Sequence, residues 1–235
     1  NAPNFLKAVG NTVKTALATT AIAVPLGLLL AFAIQRTRIR WRAVWTVALT
    51  LPMLIPSISQ AMGLVVLFGT NGILRNLLGI ESTIYGYTGI ITGSVLYSYP
   101  VAFLMFNDVL KYQDSSPYEA AQVLGIPKLH THLAIIPLPY LTKPLISSVF
   151  TVFSLVATDY GIPMLIGGKT TTLAVMMYQE VLGQLNFSKG GVIGLFLLIP
   201  AVITFVINTI IKSSSKLSFV TRPFDLKKSK LRDGA

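Results

Sequence analysis

The sequence contains few side chains that could work together as a catalytic or metal site. It has eight acidic residues, two histidines and no cysteine, which excludes thiol catalysis, disulfides and cysteine-ligated metals. The two histidines, His130 and His132, have no third ligand in reach, and we interpret them as surface residues. The acids form no carboxylate pair and no Ser-His-Asp arrangement, since most lie in loops or at the ends of apolar runs. The sequence therefore predicts neither a catalytic residue nor a metal site.

One short stretch, Gly167-Gly168-Lys169-Thr170, matches the end of a phosphate-binding loop. The full motif needs another glycine with four residues between it and the Gly-Lys-Thr, and Pro163 occupies that place. The stretch also follows no predicted strand. We interpret it as a chance match and predict that the chain does not hydrolyse ATP itself.

The most informative stretch is polar and lies between apolar runs, at residues 115–127. Ser116 is a suitable N-cap, Pro117 fits the first helical position, and Glu119 stands three residues after the cap, which is a capping box. Gly125 can adopt the left-handed conformation that closes a helix, and the proline that ends the stretch prevents simple continuation. The pattern predicts two short helices joined by a sharp turn, which we call the elbow. Such a rigid pair is suited to holding a contact surface for another protein.

The elements that carry the elbow are apolar helices. The chain is 53% hydrophobic and only 11% charged, whereas a soluble domain has about 25% charged residues. The apolar residues gather into runs comparable with the roughly 20 residues that cross a bilayer. The predicted spans cover about residues 12–35, 43–69, 84–106, 144–158 and 190–211. Pro25 is expected to kink the first span, and Pro52 and Pro56 interrupt the second. The sequence predicts an all-α, polytopic membrane helix bundle with about five transmembrane helices.

The distribution of positive charge predicts the orientation of the bundle. If the C-terminal tail is cytoplasmic, 14 of the 19 Lys and Arg residues fall in the cytoplasmic segments 36–42, 107–143 and 212–235. Positive residues are retained on that side of the membrane, so the elbow is predicted to be cytoplasmic. The net charge of +11 thus reflects membrane topology, and we expect the lipid bilayer, not nucleic acid, as the partner of this surface.

On these residues the chain resembles the permease subunits of ATP-binding cassette importers with the type I, or MetI-like, fold. The family signature is a cytoplasmic Glu-Ala-Ala, three residues, a Gly, and about nine residues before Ile-x-Leu-Pro. Here residues 119–121 read Glu-Ala-Ala and Gly125 follows at that spacing, while the Ile-x-Leu-Pro at 136–139 comes one residue late. The elbow lies between the third and fourth predicted spans, and the resemblance covers about residues 10–212.

The resemblance implies a multi-pass protein of the bacterial inner membrane that takes part in energy-coupled import. In such systems two permease domains pair, two ATPase subunits bind from the cytoplasm, and an external solute-binding protein delivers the solute. The chain itself would bind no cofactor, because ATP and Mg belong to the ATPase subunits. The residues that the resemblance assigns to ATPase coupling are Tyr118, Glu119, Ala120, Ala121, Val123, Leu124, Gly125, Ile126 and Pro127.

Several alternatives stay open at this point. Glu119 as a helix cap and Gly125 as a turn residue also have purely structural explanations. Residues 160–168 most resemble the branch of the family that imports ferric iron, polyamines, thiamine or phosphonates.

We treat 1–235 as one domain with a coupling loop at 115–139 and a basic tail at 212–235. The chain also fits one half of a fused two-unit permease. The alternative function is a secondary transporter or channel without an ATPase, which is disfavoured by the absence of an internal repeat and the scarcity of mid-span charges.

A solute pathway would need polar side chains within the bundle. Asp159 ends the fourth predicted span, and a carboxylate costs about 2.5–3.5 kcal/mol at a helix centre on insertion scales but less near the interface. Two interpretations stay open: Asp159 and Tyr160 line the external mouth of the pathway, or Asp159 is a solvated interfacial acid. The further polar candidates are Ser57, Ser59, Gln60, Tyr97, Ser98 and Tyr99.

Overall fold

The computed structural model describes residues 2–37, 39–79, 84–112, 116–126 and 137–213. Within these ranges the elements are helices and no strand forms, so the predicted all-α class is confirmed. The longer helices are α1 (Ala2–Arg36), α2 (Arg42–Leu54), α3 (Ser57–Phe68), α5 (Tyr87–Lys111), α7 (Pro137–Thr158) and α10 (Phe187–Ser213). The shorter helices are α4 (Ile73–Leu78), α6 (Ser116–Val123), α8 (Gly161–Ile166) and α9 (Leu173–Tyr178), which continues into a π-helical turn at Gln179–Gly183.

Four of these helices, α1, α5, α7 and α10, are long and apolar enough to cross a membrane. Helices α2 and α3 pass the same test only as a pair, and their axes are bent by 97° at the break between them. Ile55, at the break, is extended (φ −89°, ψ 127°), because Pro56 disfavours the helical conformation for the residue before it. The second predicted span is therefore two helices at a sharp angle, which we call the broken span.

The most extensive helix contact joins α1 and α5. Ala23 and Ala31 of α1 are fully buried in the core that also contains Phe103 and Phe106 of α5. A Cβ atom added at Gly27 would lie 2.7 Å from the backbone nitrogen of Phe103. Small residues on α1 thus allow the two backbones to touch, which is how helices gain packing energy in lipid, where burial of apolar surface gives little.

The broken span contrasts with this packed pair because it exposes much of its apolar surface. Helix α2 has no buried residue, and Val44, Leu51 and Leu54 are at least half exposed. Contiguous apolar surface of this kind marks a contact with lipid or with another protein. The position of α2 therefore depends more on the links at its ends than on burial along its length.

Replacing Gly27 by alanine is expected to destabilise the bundle by about 1–3 kcal/mol, because the added methyl group meets the backbone of α5 and forces the helices apart. The loss is measured as a lower melting temperature of the purified protein in detergent. Gly63→Ala on α3 is the matched control, since nothing lies within 4 Å of its Cβ position and alanine is the better helix former. Equal melting temperatures for the two variants would contradict the close contact.

Candidate functional site

The described part of the elbow consists of α6 and the tightly hydrogen-bonded turn that follows it, and the second predicted helix lies outside the described residues. Gly125 has φ +66°, the left-handed conformation that the sequence predicts for it. Its backbone N–H donates to the carbonyl of Gln122 at 3.2 Å, and the N–H of Ile126 donates to the carbonyl of Ala121 at 3.1 Å. This pair of bonds is the Schellman motif, which satisfies the last carbonyls of a helix and fixes the direction in which the chain leaves it. The turn is therefore rigid.

The tip of the elbow presents apolar side chains to the exterior. Val123 is 88% exposed and Leu124 is 75% exposed, whereas Ala121 on the opposite side of α6 is buried. Ala120 is exposed beside them. Two large apolar side chains held on a rigid turn form a small surface that is suited to inserting into a groove on another protein.

Part of the predicted coupling surface lies outside the described residues. This applies to the side chains of Tyr118 and Glu119 and to Pro127. Residues 127–136, which include both histidines, are likewise not described, and the structure resumes at the start of α7. The coupling roles of the elbow residues stay predictions at this stage.

Asp159 lies between α7 and α8, where it accepts three hydrogen bonds. The hydroxyl of Ser57 donates to its Oδ1 at 2.5 Å. The backbone N–H groups of Ile162 and Gly161 donate to the same carboxylate at 3.2 Å and 3.4 Å. The first residue of α3 is thereby tied to the start of α8, and we call this contact the outer latch (Ser57 and Asp159).

Tyr97 and Gln60 lie near the same break in the broken span. Tyr97, on α5, packs against the apolar cluster that contains Ala61 of α3 and Ile162 of α8. The side-chain amide of Gln60 donates to the carbonyl of Pro52 across the break. The structure therefore brings Ser57, Asp159 and Tyr97 to one place, with Gln60 bridging α3 and α2 nearby.

The remaining pathway candidates do not join this group. Ser98 is fully buried and its hydroxyl donates to the carbonyl of Ser94 in its own helix. Tyr99 is buried in the core between α1 and α5, and Ser59 is exposed. Tyr160 stacks on Tyr178, with ring centroids 5.4 Å apart. A pathway role for these residues stays a prediction, and the buried pair Ser98 and Tyr99 faces other helices in this chain.

A polar cavity of about 400 Å³, which sequence reasoning missed, lies between the first turns of α1 and the segment 169–184. It is lined by Asn4, Lys7, Ala8, Asn11, Lys169, Thr171, Met176, Gln179, Glu180 and Gln184. The side chain of Asn11 donates to the carbonyl of Thr171 at 2.9 Å, and the N–H of Leu173 donates to the hydroxyl of Thr12 at 2.8 Å. These bonds join segments about 160 residues apart, so no local signal in the sequence marks the cavity.

A family model described as "Binding-protein-dependent transport system inner membrane component" matches residues 23–218. The chain is similar to a putative ferric transport system permease protein of Haemophilus influenzae, with 28% identity over 77% of this chain and 30% of that protein. It is also similar to a molybdenum transport system permease protein of Azotobacter vinelandii, with 25% identity over 80% of this chain and 88% of that protein. The chain spans less than a third of the length of the two ferric relatives it matches.

Two solved structures have the same fold. A bacterial ABC transporter involved in import of the acidic polysaccharide alginate superposes with a TM-score of 0.68 at 18% identity, covering 90% of this chain and 80% of that one. The inward-facing MetNI methionine ABC transporter superposes with a TM-score of 0.64 at 16% identity, covering 90% of this chain and 94% of that one. At this level of identity the likeness concerns the fold alone.

The outer latch predicts a measurable coupling between Ser57 and Asp159. In a double-mutant cycle of Ser57→Ala and Asp159→Ala, the interaction energy is expected to be about 0.5–3 kcal/mol, because the hydroxyl donates to the carboxyl group of Asp159. The measurement is the unfolding free energy of the detergent-solubilised protein. Ser59→Ala is the matched control for Ser57→Ala, since this exposed serine lies on the same helix, and its effect is expected to add to that of Asp159→Ala. An additive result at Ser57 as well would rule out the latch.

Proposed function

The chain belongs to the family of binding-protein-dependent transport system inner membrane components, and on that basis we propose that it is a permease component of an ATP-driven importer. It forms the translocation pathway and couples it to separate ATPase subunits that dock on the elbow. The observation that carries this proposal is the rigid turn at Gly125, which holds Val123 and Leu124 exposed at the tip.

The geometry of the elbow supports an ATPase as its partner. A transporter that moves almost completely from one access state to the other needs about 5.5 kcal/mol of differential binding. A contact surface must keep its shape to transmit this difference in binding energy to the bundle. The Schellman motif fixes the shape of the elbow tip. The tip enters a groove of the ATPase, and α5, which ends at Lys111 just before the elbow, carries the contact towards the bundle.

The other partners follow from the remaining surfaces. The exposed apolar faces of α2 and α10 are covered by lipid and by a second permease domain, identical or homologous. ATP and Mg are held by the ATPase subunits. An external solute-binding protein approaches the end of the bundle where the polar cavity opens between α1 and the segment 169–184.

The solute is a small molecule of the ferric iron, polyamine, thiamine or phosphonate type. Relatives support three of these four classes: two are ferric transport system permeases, one is a spermidine/putrescine permease homologue of Mycoplasma genitalium, and one is a thiamine permease of Haemophilus influenzae. Other relatives are molybdenum and sulfate transport system permeases. The alternative, a channel or secondary transporter without an ATPase, has less support. In the described helices long enough to cross a membrane, Lys14 of α1 is the charged residue farthest from a helix end, and the others lie near one.

Charging the tip of the elbow is expected to abolish ATPase binding. Leu124→Asp places a carboxylate in the apolar contact, where an unpaired charge is strongly unfavourable, and we expect at least about a tenfold loss of ATPase subunits co-purified with the chain. The ATPase encoded beside the permease is co-expressed for the measurement. Leu77→Asp is the matched control, because Leu77 on α4 is also 75% exposed but lies on the predicted external side.

The two variants separate the possible outcomes. Retention of the ATPase by Leu77→Asp and its loss from Leu124→Asp would support docking at the elbow. If the ATPase binds to neither the wild type nor the control while solute still crosses the membrane, the importer is ruled out and the channel takes its place. Equal loss in both variants would show that the effect is not specific to the elbow.

A further inference from the structure

Three side chains form a hydrogen-bonded chain at the cytoplasmic ends of α1, α2 and α5. The guanidinium of Arg42, the first residue of α2, donates through Nη2 to Oε1 of Gln35 at 2.7 Å. The amide of Gln35, in the last turn of α1, donates through Nε2 to Oδ1 of Asn107 at 2.7 Å. Arg42 Nε also donates to the carbonyl of Ile34 at 2.8 Å. We call Arg42, Gln35 and Asn107 the inner clamp.

The inner clamp has a fixed direction of donation. A guanidinium offers only donors, so the oxygen of the Gln35 amide must face Arg42 and its NH2 group must face away. That NH2 group needs an acceptor, which fixes the oxygen of Asn107 towards Gln35. The orientation of each amide therefore depends on its neighbour, and the three residues hold one arrangement together.

Capping of α1 does not account for the whole clamp. The bond from Arg42 Nε to Ile34 already satisfies a terminal carbonyl of α1. Asn107 is nevertheless buried on α5, with 6% exposure, and a buried amide is unfavourable unless it is hydrogen-bonded. The bond between Gln35 and Asn107 thus serves the contact with α5, four residues before that helix ends and shortly before the elbow begins.

The clamp adds hydrogen bonds to a direct contact between α2 and α5, where Leu49 of α2 packs against the core. No residue of α2 is buried, and at its far end the chain is bent by 97°, where Gln60 of α3 bonds to the carbonyl of Pro52 across the break. A displacement of the cytoplasmic end of α5 reaches the first residue of α2 through two hydrogen bonds. Arg42, Gln35 and Asn107 are therefore placed to link the elbow to the broken span.

We propose that the inner clamp transmits the nucleotide state of the docked ATPase from the elbow to the broken span, with Arg42, Gln35 and Asn107 as positioning residues. The proposal rests on the proposed function, because it requires an ATPase bound at the elbow. The clamp proposal adds the route by which the contact between the ATPase and the elbow moves α2. The elbow moves with α5, and the clamp makes α2 follow.

The test compares two single variants, which can keep the hydrogen bond between residues 35 and 107, with the double variant, which cannot. In Gln35→Glu the carboxylate still accepts from Arg42, and the Asn107 amide can turn to donate to it. In Asn107→Asp the carboxylate accepts from Gln35. The double variant places two carboxylates opposite each other. At a pH high enough to keep both ionised, neither can donate and they repel each other, so the link between α1 and α5 is lost.

The readout is a distance between α2 and the end of α5. The chain has no cysteine, so spin labels at Leu51→Cys and Tyr112→Cys, both on exposed positions, are the only labels in this subunit. The complex with its ATPase is measured without nucleotide and after trapping with ATP and vanadate. We expect the distance to shift on trapping in the wild-type background and in each single variant, and the shift to fall at least about fivefold in the double variant.

Co-purification of the ATPase is measured on the same samples to separate two kinds of failure. If the double variant retains the ATPase and the full shift, the clamp is overturned and the proposed function stands. If the wild type binds no ATPase, the proposed function fails and the clamp fails with it. A double variant that binds the ATPase but loses the shift supports the clamp and excludes misfolding as the cause.

The matched control is Asn208→Asp, which changes another amide between two helices. Asn208 on α10 accepts a hydrogen bond from Ser147 of α7, and its Nδ2 donates to Thr151 at 3.3 Å. This contact involves neither the elbow nor the broken span, so the distance shift on trapping is expected to stay as in the wild type. Loss of the shift in this variant would mean that any weakened helix contact has the same effect, which would overturn the specific role of the clamp.

Discussion

Lipid gives apolar helices little reason to associate, so the bundle depends on places where backbones can touch or polar groups can bond. The contact at Gly27 is the strongest of these, because it brings α1 and α5 together at backbone distance. Buried alanines and phenylalanines extend the same contact along the two helices. This pair has the most extensive helix contact among the described helices, and the elbow follows α5 along the chain.

The broken span follows the opposite principle. Its apolar surface is largely exposed, and polar contacts at the start of α2 and at the break help to fix where it lies. The outer latch joins Ser57 to Asp159 at the start of α3. The inner clamp joins Arg42 to Gln35 and Asn107 at the start of α2. Hydrogen bonds require a defined distance and angle, whereas apolar contacts do not. The latch and the clamp can therefore hold the helices of the broken span in discrete positions where few side chains are buried.

The sequence predicts well those features whose signals are local. The elbow is specified by a glycine and a following proline within a dozen residues, and Gly125 adopts the expected conformation. The spans follow from composition, and Pro56 indicates the break. The 97° angle at that break is a tertiary property and has no local signal.

The links between helices are the features that the sequence could not predict. Ser57 and Asp159 are 102 residues apart, and Gln35 and Asn107 are 72 residues apart. Ser57 and Asp159 were candidates only because a polar group in an apolar run is unusual, and the structure adds that they bond to each other. Gln35 and Asn107 stand near span ends, where polar side chains are ordinary, so nothing in their positions distinguished them.

The outer latch and the inner clamp lie near opposite ends of α2, so this helix can act as a rigid connection between them. It has 13 residues, which makes it about 20 Å long. One end meets the extended residue Ile55 and bonds through Pro52 to Gln60, and the other end is held by Arg42. Under the proposed role of the clamp, a small displacement at Arg42 is expected to rotate α2 about the break, whereas the latch holds α3 on α8. The position of the proline break thus separates the half of the broken span that bonds to the ends of α1 and α5 from the half that bonds to Asp159 at the start of α8.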